Sequence, residues 1–115
     1  MLRAMAIKDL TQVSHHLFLC NGSSCSDRGA AATTVAIRDE IHLCGLHDGL
    51  HTTKTLCNGR CDDGPVVIVQ PDGVWYRQVT PTIGRRIVRE HLRDGVSVDS
   101  QVLYQWGDDH LDPAK

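Results

Sequence analysis

Short apolar runs alternate along this chain with two longer stretches whose apolar residues recur at helical spacing. His15-His-Leu-Phe-Leu-Cys20 is a compact apolar run that ends in Asn21-Gly22, the mark of a buried strand entering a turn. Ser23 or Ser24 is placed to cap a following helix, expected over Ser26 to Leu43, in which Ala30, Thr34, Ile37, Ile41 and Cys44 share one face and Gly45 ends the pattern. Leu50 to Leu56 is Thr-rich and alternating, which favours a strand. Pro65 to Val69 and Val74 to Val79 flank Gln70-Pro-Asp-Gly73, a turn signal, and predict a hairpin. Thr80 and Pro81 then open a second helix with Ile83, Ile87, Val88 and His91 on its inner face, closed by Asp94-Gly95.

The order strand, helix, strand, hairpin, helix predicts an α/β domain in which two helices flank a small mixed sheet of about four strands. Residues 15–95 form that domain, residues 1–14 an N-terminal extension, and residues 96–115 a tail. Val98, Val102, Leu103, Tyr104 and Trp106 make the tail too apolar for a solvated end, so it is expected to pack on the domain or on a second subunit.

The same order controls where the cysteines go. A helix over Ser26 to Leu43 travels ~27 Å at 1.5 Å per residue, and a strand over Leu50 to Leu56 returns ~23 Å at 3.3 Å per residue. Cys57 and Cys61 therefore come back to the end of the sheet that carries Cys20 and Cys25. Cys44 lies ~28 Å up the helix from Cys25, outside any such site, and reads as a buried core thiol.

With 115 residues the chain is one domain by default. A net charge of -2 and a pI near 6.3 give no footprint for nucleic acid, and no basic run points to a membrane surface. Met1 to Val13 lacks the continuous apolar stretch of a signal peptide, and no segment has the ~20 apolar residues that span a bilayer. These features predict a cytoplasmic protein, where paired cysteines read as metal-binding or redox-active.

Four cysteines fall into two close pairs, Cys20-Asn-Gly-Ser-Ser-Cys25 and Cys57-Asn-Gly-Arg-Cys61. Four thiolates suit zinc, copper(I) or an iron-sulfur cluster. Structural zinc sites usually contain a tighter C-x2-C knuckle, so these wider loops favour a two-iron cluster, with zinc as the alternative. A thiol-disulfide oxidoreductase using one close pair is a third reading.

Cys25 at a helix start is expected to be favoured as thiolate. Gly22, Gly59 and Gly64 are expected to offer unshielded N–H groups to sulfur, or simply to make turns, and Arg60 to add positive charge. Asp62-Asp63, Lys54 and Arg28 read as surface charge with the option of facing a partner. Among the seven histidines no close pair has ligand spacing, and none is assigned to the site. No nucleophile, base and orienter occur in a recognisable order, so no independent catalytic site is expected.

The strand ending in Cys20, the Gly22 to Gly29 segment, Cys57-Asn-Gly-Arg-Cys61 and the Gly-Pro-Val-Val that follows resemble the thioredoxin-like 2Fe-2S ferredoxins over roughly His15 to Leu92. Within that family the small ferredoxin-like proteins associated with cobalamin biosynthesis are the most similar, since they too set a Thr-Lys-Thr run, here Thr53-Lys54-Thr55, before Cys-Asn-Gly-Arg-Cys-Asp-Asp-Gly-Pro. The resemblance implies a thioredoxin-like fold and a 2Fe-2S cluster on Cys20, Cys25, Cys57 and Cys61. It also implies a homodimer that takes an electron from a reductase and hands it to an acceptor, with a corrinoid enzyme as one candidate. The first loop is shorter than in the better-known members, and the Cys-x2-Cys of true thioredoxins is missing, so reductase activity does not follow.

Overall fold

A computed structural model describes residues 8–112. Half of the predicted N-terminal extension, residues 1–7, lies outside the described residues. Eight main elements follow in chain order: β1 (His15–Cys20), α1 (Ser23–Asp27), α2 (Ala30–Leu43), β2 (Leu50–Thr55), β3 (Val67–Gln70), β4 (Val74–Tyr76), α3 (Pro81–Arg86) and β5 (Val102–Gln105). Residues Ile87–Arg93 continue α3 as a wider π-helical segment.

The predicted helix over Ser26 to Leu43 is two helices. Arg28 N–H and Gly29 N–H close α1 on the carbonyls of Cys25 and Ser26, and Gly29 then turns left-handed at φ 93°. Glycine adopts that conformation without a Cβ penalty, so the chain changes direction there and α2 starts afresh. Gly22, not Ser23 or Ser24, occupies the cap of α1 and makes no side-chain capping bond. The inner face of α2 is as the spacing predicts, with Ala30, Thr34, Ile37 and Ile41 buried. Its end is closed by Gly45 N–H to His42 C=O and Leu46 N–H to Ile41 C=O, a pair of bonds that satisfies carbonyls the helix leaves free.

The mixed sheet has the order β2-β1-β3-β4-β5. β1 and β2 are parallel, and the other pairs are antiparallel. The fifth strand comes from the C-terminal segment, which pairs along β4 and buries Val98, Val102 and Leu103. The hairpin is shorter than predicted because the chain leaves the ladder after Tyr76. Gln78 has φ 48°, Gln78 N–H bonds to Asp63 C=O, and Val79 N–H bonds to Pro65 C=O. These bonds tether the segment leading to α3 to the loop that carries Cys61.

Leu17, Leu19, Val67, Val69, Val74 and Tyr76 point from the sheet into the main core, where α2 supplies Ile37 and Ile41 and the α3 continuation supplies Ile87 and Val88. A second cluster, Cys20, Cys25, Ala30, Val66 and Ile68, forms at one end of the sheet with Phe18 and Trp75 against it. Both cysteines of the first loop thus have buried surroundings. The parallel register sets Cys20 beside Thr55, so Cys57 follows two residues past the strand position next to Cys20. The return of Cys57 to the end of the sheet that carries Cys20 is as expected, although the outgoing helix, α2, is shorter than the predicted one.

Among the described residues, no helix is long and apolar enough to cross a membrane.

Candidate metal centre

Cys20 ends β1 and Cys25 sits in α1, and both are buried. Cys57 and Cys61 lie on the loop after β2 and are exposed. All four line one hollow with about 300 Å³ of empty space, part of it open to solvent, together with Gly22, Asn58, Arg60 and Val66. None of the cysteines is in a disulfide. Cys44 is elsewhere: it caps α2, packs against the main core and directs its Sγ at Glu40 Oε2, 3.6 Å away.

The thiols are arranged as two pairs. Cys57 Sγ and Cys61 Sγ are 3.6 Å apart. Two thiolates bound at about 2.3 Å to one tetrahedral metal would stand about 3.8 Å apart, so this pair is set at chelating distance. Cys20 and Cys25 share a hydrogen bond. Among the described residues, no group of three His, Cys, Asp or Glu side chains closes around a single metal-ion position.

The two buried thiols differ in proton affinity. Burial acts to push the Cys20 thiol up, but hydrogen bonds from Gly22 N–H, from the Cys25 thiol and from the side chain and backbone of Asn58 outweigh it and hold Cys20 below the ordinary thiol value. Burial pushes the Cys25 thiol up to about 11, helped by its bond to Cys20 and opposed by Val66 N–H. The expectation that a helix start favours the Cys25 thiolate is therefore corrected. Cys25 lies in a helix of five residues with its side chain out of water, and desolvation prevails over the short helix's field.

Glycine creates the space for these thiols. A Cβ at Gly64 would meet Cys25 Sγ at 2.7 Å, and one at Gly22 would meet Cys57 N at 2.9 Å. Gly64 thus lets the backbone approach the Cys25 thiol, and Gly22 the backbone of Cys57, more closely than any other residue allows. Gly59 N–H donates to Cys57 Sγ at 3.2 Å, and Gly22 N–H donates to Cys20. Gly64 N–H instead reaches toward Cys61 C=O at 3.5 Å.

Arg60 lines the hollow, but its guanidinium is paired with Asp63, with Nη2 at 2.7 Å and Nε at 2.8 Å from Oδ2. Its positive charge is largely balanced where it stands. Arg28 donates to Asp62 C=O at 2.8 Å, joining the end of α1 to the turn after Cys61. Two contributors escape a reading of motifs. Asn58, the second residue of the Cys-Asn-Gly turn, reaches Cys20, and Val66 donates to Cys25 while accepting from Cys20 N–H. The Asn-Gly shared by the two loops does not single out Asn58, since Asn21 stands in the same motif and bonds to Leu19 and Thr34, and a backbone contribution such as that of Val66 leaves no trace in residue identity.

These residues fit an iron-sulfur group. Soft sulfur donors are present in two pairs, Cys57 and Cys61 at chelating distance and Cys20 and Cys25 joined by a hydrogen bond, the backbone is cleared of Cβ atoms beside them, and N–H groups face three of the four sulfurs.

Comparison with known proteins agrees in fold and family. No protein-family model matches the chain. A protein of Priestia megaterium, named provisionally as a 2Fe-2S ferredoxin, is 46% identical over 98 residues, covering 85% of this chain and 76% of the relative. The 2Fe-2S ferredoxin of Aquifex aeolicus is 36% identical over 97 residues, covering 76% of this chain and 87% of the relative. A solved structure of a thioredoxin-like [2Fe-2S] ferredoxin from Aquifex aeolicus superposes with a TM-score of 0.76 at 31% identity, covering 87% of this chain and 99% of that one. The two-layer arrangement of helices on a mixed sheet is accordingly a thioredoxin-like fold, and the chain belongs to the thioredoxin-like 2Fe-2S ferredoxin family.

Proposed function

We propose that this chain is a one-electron carrier that binds a 2Fe-2S cluster through Cys20, Cys25, Cys57 and Cys61 and has no substrate chemistry of its own. The observation that carries this reading is the meeting of four thiols, from loops more than thirty residues apart in sequence, around one hollow as two pairs. A bound 2Fe-2S cluster supplies reversible one-electron chemistry.

The chain's own residues would hold that group and set how readily it accepts charge. Cys20 and Cys25 hold its inner side away from water, while the exposed Cys57 and Cys61 hold its outer side where a partner can approach. Leu56, 81% exposed next to Cys57, offers an apolar contact at that rim. Because thiolates already carry negative charge, each additional electron must be stabilised locally. The N–H groups of Gly22, Val66 and Gly59, directed at Cys20, Cys25 and Cys57, supply that stabilisation. Arg60 adds little, since Asp63 balances it.

The partners in this reading are a reductase and an electron acceptor, in the cytoplasm, with the carrier acting as a homodimer. The Thr53-Lys54-Thr55 run before the second cysteine motif supports a role in cobalamin biosynthesis, with a corrinoid enzyme as acceptor.

Anaerobic purification followed by metal and acid-labile sulfide analysis, with EPR of the dithionite-reduced protein, tests the proposal. Two irons and two sulfides per chain with an EPR signal on reduction are expected. A colourless protein with stoichiometric zinc and no sulfide overturns it in favour of a zinc module on the same cysteines. Activity in an insulin-reduction assay identifies a thiol-disulfide enzyme instead.

A further inference from the structure

The two cysteine loops share the sequence Cys-Asn-Gly, yet their asparagines do different things. Asn21 Nδ2 donates to Leu19 C=O at 3.0 Å and Thr34 Oγ1 at 3.2 Å, so it fastens the end of β1 to α2 and faces no sulfur. Asn58 Nδ2 donates to Thr55 Oγ1 at 2.7 Å and to Leu56 C=O at 3.3 Å. Cys20 Sγ is also 3.3 Å from Leu56 C=O, so thiol and amide converge on one carbonyl. Thr55 Oγ1 donates to that same carbonyl at 3.0 Å.

Proton counting shows what this arrangement does once Cys20 ligates a metal. As a thiol, Cys20 donates its proton to Leu56 C=O. As a thiolate it has none, and two acceptors face each other at 3.3 Å. Leu56 C=O keeps the Thr55 hydroxyl as its donor, and one Asn58 N–H is held by Thr55 Oγ1. The second N–H of the Asn58 amide, which donates to that carbonyl, is then placed to share itself with the sulfur, beside the backbone N–H groups of Gly22 and Asn58 that already face Cys20. Charge-assisted bonds of this kind strengthen as negative charge on the acceptor grows.

We propose that Asn58 is a positioning residue for the redox centre: its side-chain amide, clamped by Thr55, donates a hydrogen bond to the Cys20 thiolate, favours the reduced state and raises the reduction potential. This rests on the proposed cluster ligation. Asn21, despite its identical motif, has no such role.

The test is potentiometric titration of the loaded protein followed by EPR, with iron and sulfide measured on every sample. Asn58→Ala should shift the potential negative, Asn58→Asp should shift it further because a carboxylate faces the sulfur, and Thr55→Val should give a smaller shift of the same sign. Asn21→Ala should titrate with the wild type even if it lowers thermal stability. A purely structural Asn58 would change stability without this ordering of potentials. If Asn58→Ala fails to load, Thr55→Val decides the question. Wild-type potentials in Asn58→Ala and Thr55→Val overturn the inference while leaving the electron carrier intact, whereas a wild-type protein that holds no iron and sulfide defeats the underlying reading.

Discussion

Gly64 and Cys25 are fitted to each other: a Cβ on residue 64 would come within 2.7 Å of the Cys25 Sγ, a separation that no packed pair sustains. The thiol is buried beside Ala30, Val66 and Ile68 and otherwise faces the hollow, so it can yield only by leaving the position from which it would ligate.

Gly64→Ala should therefore cost about 1–3 kcal/mol through overpacking. It should also displace Cys25 enough to reduce cluster loading. Gly22→Ala should behave likewise, because its Cβ would meet the backbone of Cys57, which cannot rotate aside. Urea denaturation together with iron content measures both effects, and fully loaded, unaltered variants would disprove the steric account.

Cys57→Ser should abolish the cluster, while Cys44→Ser should leave it intact. Cys44 is at the far end of α2 with its Sγ on Glu40, outside the hollow. Visible absorbance of the two variants, purified in parallel, separates a ligand from a core thiol. Equal loss in both would refute this assignment.

His91→Leu should destabilise the fold without altering the cluster spectrum. His91 is buried, with Nδ1 2.8 Å from Tyr76 Oη and Nε2 2.5 Å from Asp72, and Tyr76 Oη also accepts Val98 N–H. Removing the imidazole leaves the buried tyrosine hydroxyl short of a partner, a loss of about 1–3 kcal/mol. His15, at the start of β1, also reaches Asp72, roughly 17 Å of strand away from Cys20. A spectral change at the cluster would contradict that separation.

Glu40 should contribute stability with a defined pH window. Hydrogen bonds from Arg85, with a further contribution from Arg89, hold its carboxyl below its ordinary value of 4.5. A lowered folded value means that the stabilisation is fully present above pH 4.5 and is lost as pH falls through the folded value. The stability difference between wild type and Glu40→Gln should thus be flat above about pH 5 and shrink in acid. Urea melts from pH 3 upward check the shape, and a difference that grows in acid would reverse the sign.

Truncation after Gly95 should prevent stable folding. Val98, Val102 and Leu103 are buried, and each contributes about 1.5–3 kcal/mol by burial. Their sum is comparable with the whole stability of a small domain, ~5–15 kcal/mol. The deletion would also expose the β4 edge to other chains. A truncated chain with native circular dichroism and a sharp thermal transition would refute the requirement.

Residue order and identity sufficed for the α/β plan, for the return of Cys57 toward Cys20, and for the exclusion of Cys44. Those conclusions depend on rise per residue and on local periodicity, both of which are carried by neighbouring residues in the chain. The break at Gly29, the early exit of β4 after Tyr76 and the edge strand formed by residues 102–105 depend on hydrogen bonds between distant segments, and local periodicity does not contain them. The proton affinities of Cys20 and Cys25 belong to the same category, because burial and opposing N–H groups set them, not the nearby helix start. So does the difference between Asn21 and Asn58. Identical dipeptides face different acceptors because one ends a strand against α2 and the other sits in the turn after β2, bonded to Thr55 and Leu56 next to the Cys20 thiol.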